Sequence, residues 1–156
     1  MNTGMRALLA ALDTAIDAGV SSILEIKQVT DPYPLPKQYP AVFLDPKEPE
    51  KMKESNDTET EVLWHRYPVE IVVWNKYITT EEESLVHSTN GLIKVMEDIE
   101  TLLESNMLGG ILQNADCRVI TYNFEERRIA DGIYTRAGKL LFTGETIPYR
   151  STISRS

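Results

Sequence analysis

The sequence predicts an α+β fold: a mostly antiparallel or mixed sheet with two main helices packed on one face. Three observations lead there. Two stretches carry apolar residues at three- and four-residue steps, several β-branched runs fall on either side of the second stretch, and β and α elements do not alternate regularly. With 156 residues, 42% hydrophobic and 26% charged, the chain has the size of a single domain spanning 1–156 with a modest core.

The elements follow in order. From Thr3 to Ala18, the residues Met5, Leu8, Leu9, Leu12 and Ile16 share one helical face, with Thr3 placed to cap the start and Gly19 to end it. Ile23 to Thr30 is rich in β-branched residues and reads as a strand. Asp31-Pro-Tyr-Pro-Leu-Pro36 then breaks regular structure, because each proline removes a donor and restrains its predecessor. Ala41 to Leu44 is a short apolar strand, led in by Tyr39-Pro40 and stopped by Asp45-Pro46. Residues 45–61 hold seven acids and three lysines and have little to bury, so they are expected as a mobile loop or an extended hairpin tip.

Beyond this segment Tyr67, Val69, Ile71 and Val73 occupy one face of a strand reaching about Ile78, with Glu70, Val72 and Trp74 on the other. Thr80 and Glu83 make a capping box, and Leu85, Thr89, Leu92, Met96, Ile99 and Leu103 follow as one helical stripe. Gly91 within it marks a kink or a close approach to the sheet, and Asn106 with Gly109-Gly110 ends the helix. Asp116 to Phe124 reads as a strand, Glu125 to Ala137 as a charged turn region, and Gly138 to Tyr149 as a last strand broken by Gly144 and Pro148. Residues 150–156 read as a loose tail.

Charge and composition exclude several functions. Sixteen basic against 24 acidic residues leave a formal charge of -8, which argues against a wide phosphate-binding face. Cys117 is the one cysteine, so neither an intramolecular disulfide nor a multi-cysteine metal site is available, and a reducing compartment is expected. No signal layout opens the chain and no apolar run approaches the ~20 residues of a membrane span, so a cytoplasmic origin and no membrane partner are expected.

No residue is assigned a catalytic, metal-binding or cofactor-binding role, and no cofactor is expected. His65 and His87 lie on different elements without metal-site spacing. Cys117 reads as a small buried hydrophobe, and Gly109-Gly110 follows a helix instead of opening one. The acids at 81–83 suit the start of a helix dipole. Arg127 and Arg128, with Arg136 and Lys139, form the one locally basic region beside Tyr122, Phe124 and Tyr134; interleaved Glu125, Glu126 and Asp131 favour a solvated turn over a nucleic-acid contact. More distinctive are Trp64, Tyr67, Trp74 and Tyr77, which put aromatics on both faces of one long strand. Either another subunit or a second helix over the sheet accounts for them. The candidate interface residues are therefore Trp64, Tyr67, Trp74 and Tyr77, with Glu48, Glu50, Glu54 and Asp57 from the acidic segment and Arg127 and Arg128 from the basic one.

The ordered layout resembles the tail-terminator, or tail-completion, proteins of long-tailed bacteriophages. The resemblance runs through the helix at Met5 to Ile16, the proline-led strand Tyr39-Pro-Ala-Val-Phe-Leu44, the acidic insertion and the strand Val69-Glu-Ile-Val-Val-Trp74. It continues in the helix ending at Leu103, the stretch from Tyr122 to Tyr134, and the closing Ile147-Pro-Tyr149. It implies an α+β subunit of the virion neck, made in the host bacterial cytoplasm, which forms a ring with itself, usually of six copies, on the head-proximal end of the tail tube. Such a ring stops tube polymerisation, presents a docking surface to head-completion or connector proteins, and lets genomic DNA through its lumen without specific binding. The chain departs from that pattern in the Asp31 to Pro36 loop and in residues 45–61; the acidic segment is expected either to project from the sheet and become ordered on assembly or to stay a solvated, mobile tether. Another neck protein of similar fold, a monomeric adaptor, or a small hydrolase or nucleic-acid enzyme using His65 or His87 with nearby acids are the alternatives.

Overall fold

The computed structural model describes residues 4–56, 60–78, 91–146 and 150–152. In chain order these form α1 (Met5–Gly19), β1 (Glu25–Gln28), β2 (Ala41–Pro46), β3 (Glu50–Asn56), β4 (Thr60–Ile78), α2 (Leu92–Leu103), a 3-10 turn (Leu108–Gly110), β5 (Asn114–Ala130), β6 (Ile133–Thr146) and β7 (Arg150–Thr152). The strands belong to one seven-stranded sheet of order β1-β2-β4-β6-β5, with β3 and β7 both joined to the first part of β4. β1 runs parallel to β2 and the remaining pairs are antiparallel, so the fold is α+β on a mixed sheet.

Alternation along β4 sorts its side chains into two layers. Tyr67, Val69, Ile71 and Val73 face the helices, beside Val42 and Leu44 of β2 and Leu140 and Phe142 of β6. Onto them α1 lays Leu8, Leu9, Leu12 and Ile16, and α2 lays Leu92, Val95, Met96, Ile99 and Leu103. Each such side chain contributes roughly 1.5–3 kcal/mol by leaving water, which makes this layer the main source of stability.

The other face carries a smaller core of Tyr33, Ala41, Phe43, Val72, Trp74 and Ala137, with Val29, Tyr39 and Phe124 packed against it. Among the described residues it is the proline-rich segment between β1 and β2, through Tyr33 and Tyr39, that packs over Phe43 and Trp74. Trp74 is fully buried, and Tyr67, in the helix-side core, is 6% exposed, so neither is free for the partner contact expected of it. Proline-rich backbone has few donors to satisfy and therefore lies over an apolar face at little cost.

Other expectations also change. Residues 125–137 are no turn region: β5 and β6 form a long hairpin closed by Asp131-Gly132, with Gly132 at φ 73°. Gly144 does not break β6, where it pairs with Tyr67 and Ala115 under the Leu112 side chain. Gly91 is the N-cap of α2 and not a mid-helix kink. The expected helix start from Thr80 to Asn90 lies outside the described residues, as do Thr3, His87 and Pro148. Of the expected loose tail, Arg150–Thr152 pairs with Val62, Glu61 and Thr60, and residues 153–156 lie outside the description. Within the acidic segment, Asp45 and Pro46 complete β2, and 50–56 pair with 60–66 as an extended hairpin.

Candidate assembly surface

The segment covering Trp74 is fastened at three points. The Lys37 and Gln38 amides each donate to Glu25 Oε1 at 3.0 Å, which ties the segment to β1. The Tyr33 hydroxyl donates to Asp45 Oδ2 at 2.5 Å, and Arg127 Nη2 on β5 donates to the Tyr33 carbonyl at 3.0 Å. The same guanidinium stands 5.3 Å from the Trp74 ring centre and pairs with Glu125. Burial, with the Asp45 carboxylate next to it, pushes the Tyr33 phenol well above its ordinary range, so Tyr33 is a fixed donor at neutral pH.

Around this core the charges are paired across strands. Lys47 Nζ lies 3.0 Å from Asp45 and 3.6 Å from Glu70, and Lys139 Nζ lies 3.0 Å from Glu70 and 3.8 Å from the Phe124 ring centre. The Asp45 carboxylate raises the Lys47 ammonium above the ordinary lysine range. Arg66 joins β4 to Glu145 of β6 at 2.8 Å and to Glu50 of β3 at 3.3 Å. The helix layer differs: α1 and α2 carry Asp13, Asp17, Glu97, Asp98 and Glu100 against only Arg6 and Lys94. The two helices are thus net acidic, with Asp98 paired to Lys94.

Past the end of β2, β3 continues along β4, while β7 continues the line of β6 on the other side. The result is a three-stranded arm, with seven residues of β3 spanning about 23 Å at ~3.3 Å per residue. Glu54 and Trp64 sit on this arm, in register with Val62 and Met52. Glu48 is exposed in the connection before it and Glu50 opens β3, whereas Asp57 lies outside the described residues. Tyr77 is at the far end of β4, opposite Tyr134. Arg128 pairs with Asp131 beside the β5–β6 turn, away from Arg127, so the two arginines form no common basic patch. Of the expected interface set, Trp74 and Arg127 are brought into contact, and they act as a clamp within the chain.

The remaining chemistry-bearing groups are quiet. His65 Nδ1 shares a hydrogen bond with the Tyr67 hydroxyl at 3.0 Å, not with a carboxylate. Burial, then the charges of Glu100, Asp116 and Glu104, push the Cys117 thiol up to about 12. Among the described residues no group of three or more His, Cys, Asp or Glu side chains is placed to hold a metal ion.

Sequence reasoning passed over the residues most exposed to a partner. Leu24, Leu35, Ile120, Tyr122 and Ile129 are large, apolar and exposed. No periodicity in the sequence marked them: Ile120 and Tyr122 fall where register shifts, seen only in the pairing, interrupt the alternation of β5. No family model matches the chain, and no curated protein matches it.

Proposed function

We propose that this chain is a structural protein of a tailed-phage neck, a tail terminator that closes into a ring with copies of itself, six in the family it resembles. The ring sits on the head-proximal end of the tail tube, stops its growth and offers its free side to a head-completion protein. The observation that carries this reading is the layout. An opening helix and a second helix share one face of a mixed sheet, and in chain order the proline-led strand β2 and the long strand β4 come between them. This is the element order on which the resemblance rests. The acidic helix layer supports it further, since a collar that DNA must traverse cannot bind phosphates tightly.

Deletion of the gene from its phage, followed by imaging of the lysate, tests the proposal. Tails that overrun their normal length, with heads left unjoined, are the expected result. Tails of normal length beside heads that leak DNA would assign the chain to head completion instead.

A further inference from the structure

The exposed large apolar side chains of the described residues are not scattered. Leu24, 60% exposed, immediately precedes β1, and Leu35, 43% exposed, belongs to the segment that Glu25 fastens to β1. Ile120, Tyr122 and Ile129, 37–48% exposed, all lie on β5. β1 and β5 are the two ends of the main sheet order, and among the described residues each pairs with one strand; on β5 the Val119 amide donates to Glu100 Oε2 of α2 at 2.9 Å. The ends are also complementary. Arg118 on β5 and Asp31 in the β1-side segment are exposed, and neither makes an ion pair among the described residues. Pro34, the chain neighbour of Leu35, lines a cleft of about 490 Å³ together with Gln28, Val29, Thr30 and Pro46, which gives an apolar side chain somewhere to go.

We infer that copies of this chain join end to end through the sheet, the β5 end of one seating its Ile120 and Tyr122 against the Leu24, Leu35 and Asp31 end of the next. The inference rests on the ring reading above and names its contact. Two different surfaces meet, so each copy keeps one end of each kind free, and the contact repeats until it closes. A contact between two like ends would stop at a dimer. Arg118 faces Asp31 across the junction and sets the register, while the apolar groups supply the buried area. Open strand edges of this kind are otherwise a hazard that proteins cover or distort, and the irregular middle of β5 confines pairing to a neighbour of matching shape.

The test uses the full chain with single cysteines, L24C or I120C, and a short-armed bismaleimide at high protein concentration. The unsubstituted chain, whose Cys117 is buried, serves as the blank. Both sites are exposed, so the variants are expected to melt like the parent. Mixing them is expected to give several-fold more 24–120 product than either homodimer. Arg118→Glu is expected to lower that yield several-fold, and adding Asp31→Arg to restore it. A dominant 120–120 or 24–24 product overturns the inference. So does an absence of cross-linking where the unsubstituted chain sediments as a ring or binds tube ends, and that result leaves the ring reading standing. If the unsubstituted chain neither sediments as a ring nor binds tubes, the ring reading falls and the inference with it.

Discussion

Met96 of α2 lies directly over Gly138 of β6: a Cβ on Gly138 would overlap Met96 Sδ and stand 3.1 Å from the Thr121 carbonyl oxygen. The close approach of helix to sheet is thus made on the sheet side, by a residue without a side chain. Gly138→Ala is expected to cost about 1–3 kcal/mol, because the added methyl displaces a packed thioether and presses on fixed backbone. Met96→Ala is expected to cost about 2–5 kcal/mol through the cavity it leaves. The double variant should lose clearly less than the sum, since the alanine at 138 grows into that cavity. Urea unfolding of the three variants checks this, and strict additivity would count against the contact.

Arg127 is expected to hold the proline-rich cover over Trp74. Removing it with Arg127→Ala takes away the bond to the Tyr33 carbonyl and the cation above the ring, at about 1–3 kcal/mol. Trp64 is the other of the two tryptophans, so a Trp64→Phe background reports Trp74 alone. Its emission should move to the red in the Arg127 variant while the helix signal in circular dichroism stays unchanged.

Acid stability has an identifiable contributor in Glu145. The Asn114 amide and the Arg66 guanidinium hold its carboxyl below the ordinary 4.5, outweighing the opposing effect of partial burial. A carboxyl lowered in the folded state binds its proton more readily in the unfolded one. Its stabilisation is therefore complete above the ordinary value and is lost as pH falls through the lowered one. Urea midpoints measured downward from pH 7 should fall less steeply below about pH 4.5 in Glu145→Gln than in the parent.

Cys117 should be silent in the native protein. At pH 8 a thiol pushed up to about 12 holds little thiolate, and burial in the helix-side core blocks the reagent as well. A disulfide reagent is expected to give no reaction with the native chain and one equivalent after denaturation in guanidinium. Fast labelling of the native chain would contradict the packing around β5.

Much of the helix-side layer was legible in the sequence. The three- and four-residue steps of Leu92, Met96, Ile99 and Leu103 and the alternation of Tyr67, Val69, Ile71 and Val73 each follow from one periodicity, and both stripes face the same core. The far half of the β5–β6 hairpin was not legible, because residues 125–130 carry charge where a strand is expected to alternate. Pairing across and along the strands neutralises them: Arg136 meets Glu126, and Arg127 meets Glu125. The Asp131-Gly132 pair, a strong hairpin signal, was hidden inside what looked like a solvated run. Nor could the cover over Trp74 be foreseen, since prolines show where regular structure stops and not where the chain then goes. The exposed ends of the sheet, with Leu24 and Ile120, became visible only once strand order was known.

The claim of ring closure is tested most directly by electron microscopy of the purified chain mixed with assembled tail tubes, followed by addition of fresh tube protein. A closed ring of identical copies should appear on one end of each tube, and tubes carrying it should stop lengthening. Bare ends, with tubes growing as fast as in the absence of the chain, would contradict the account.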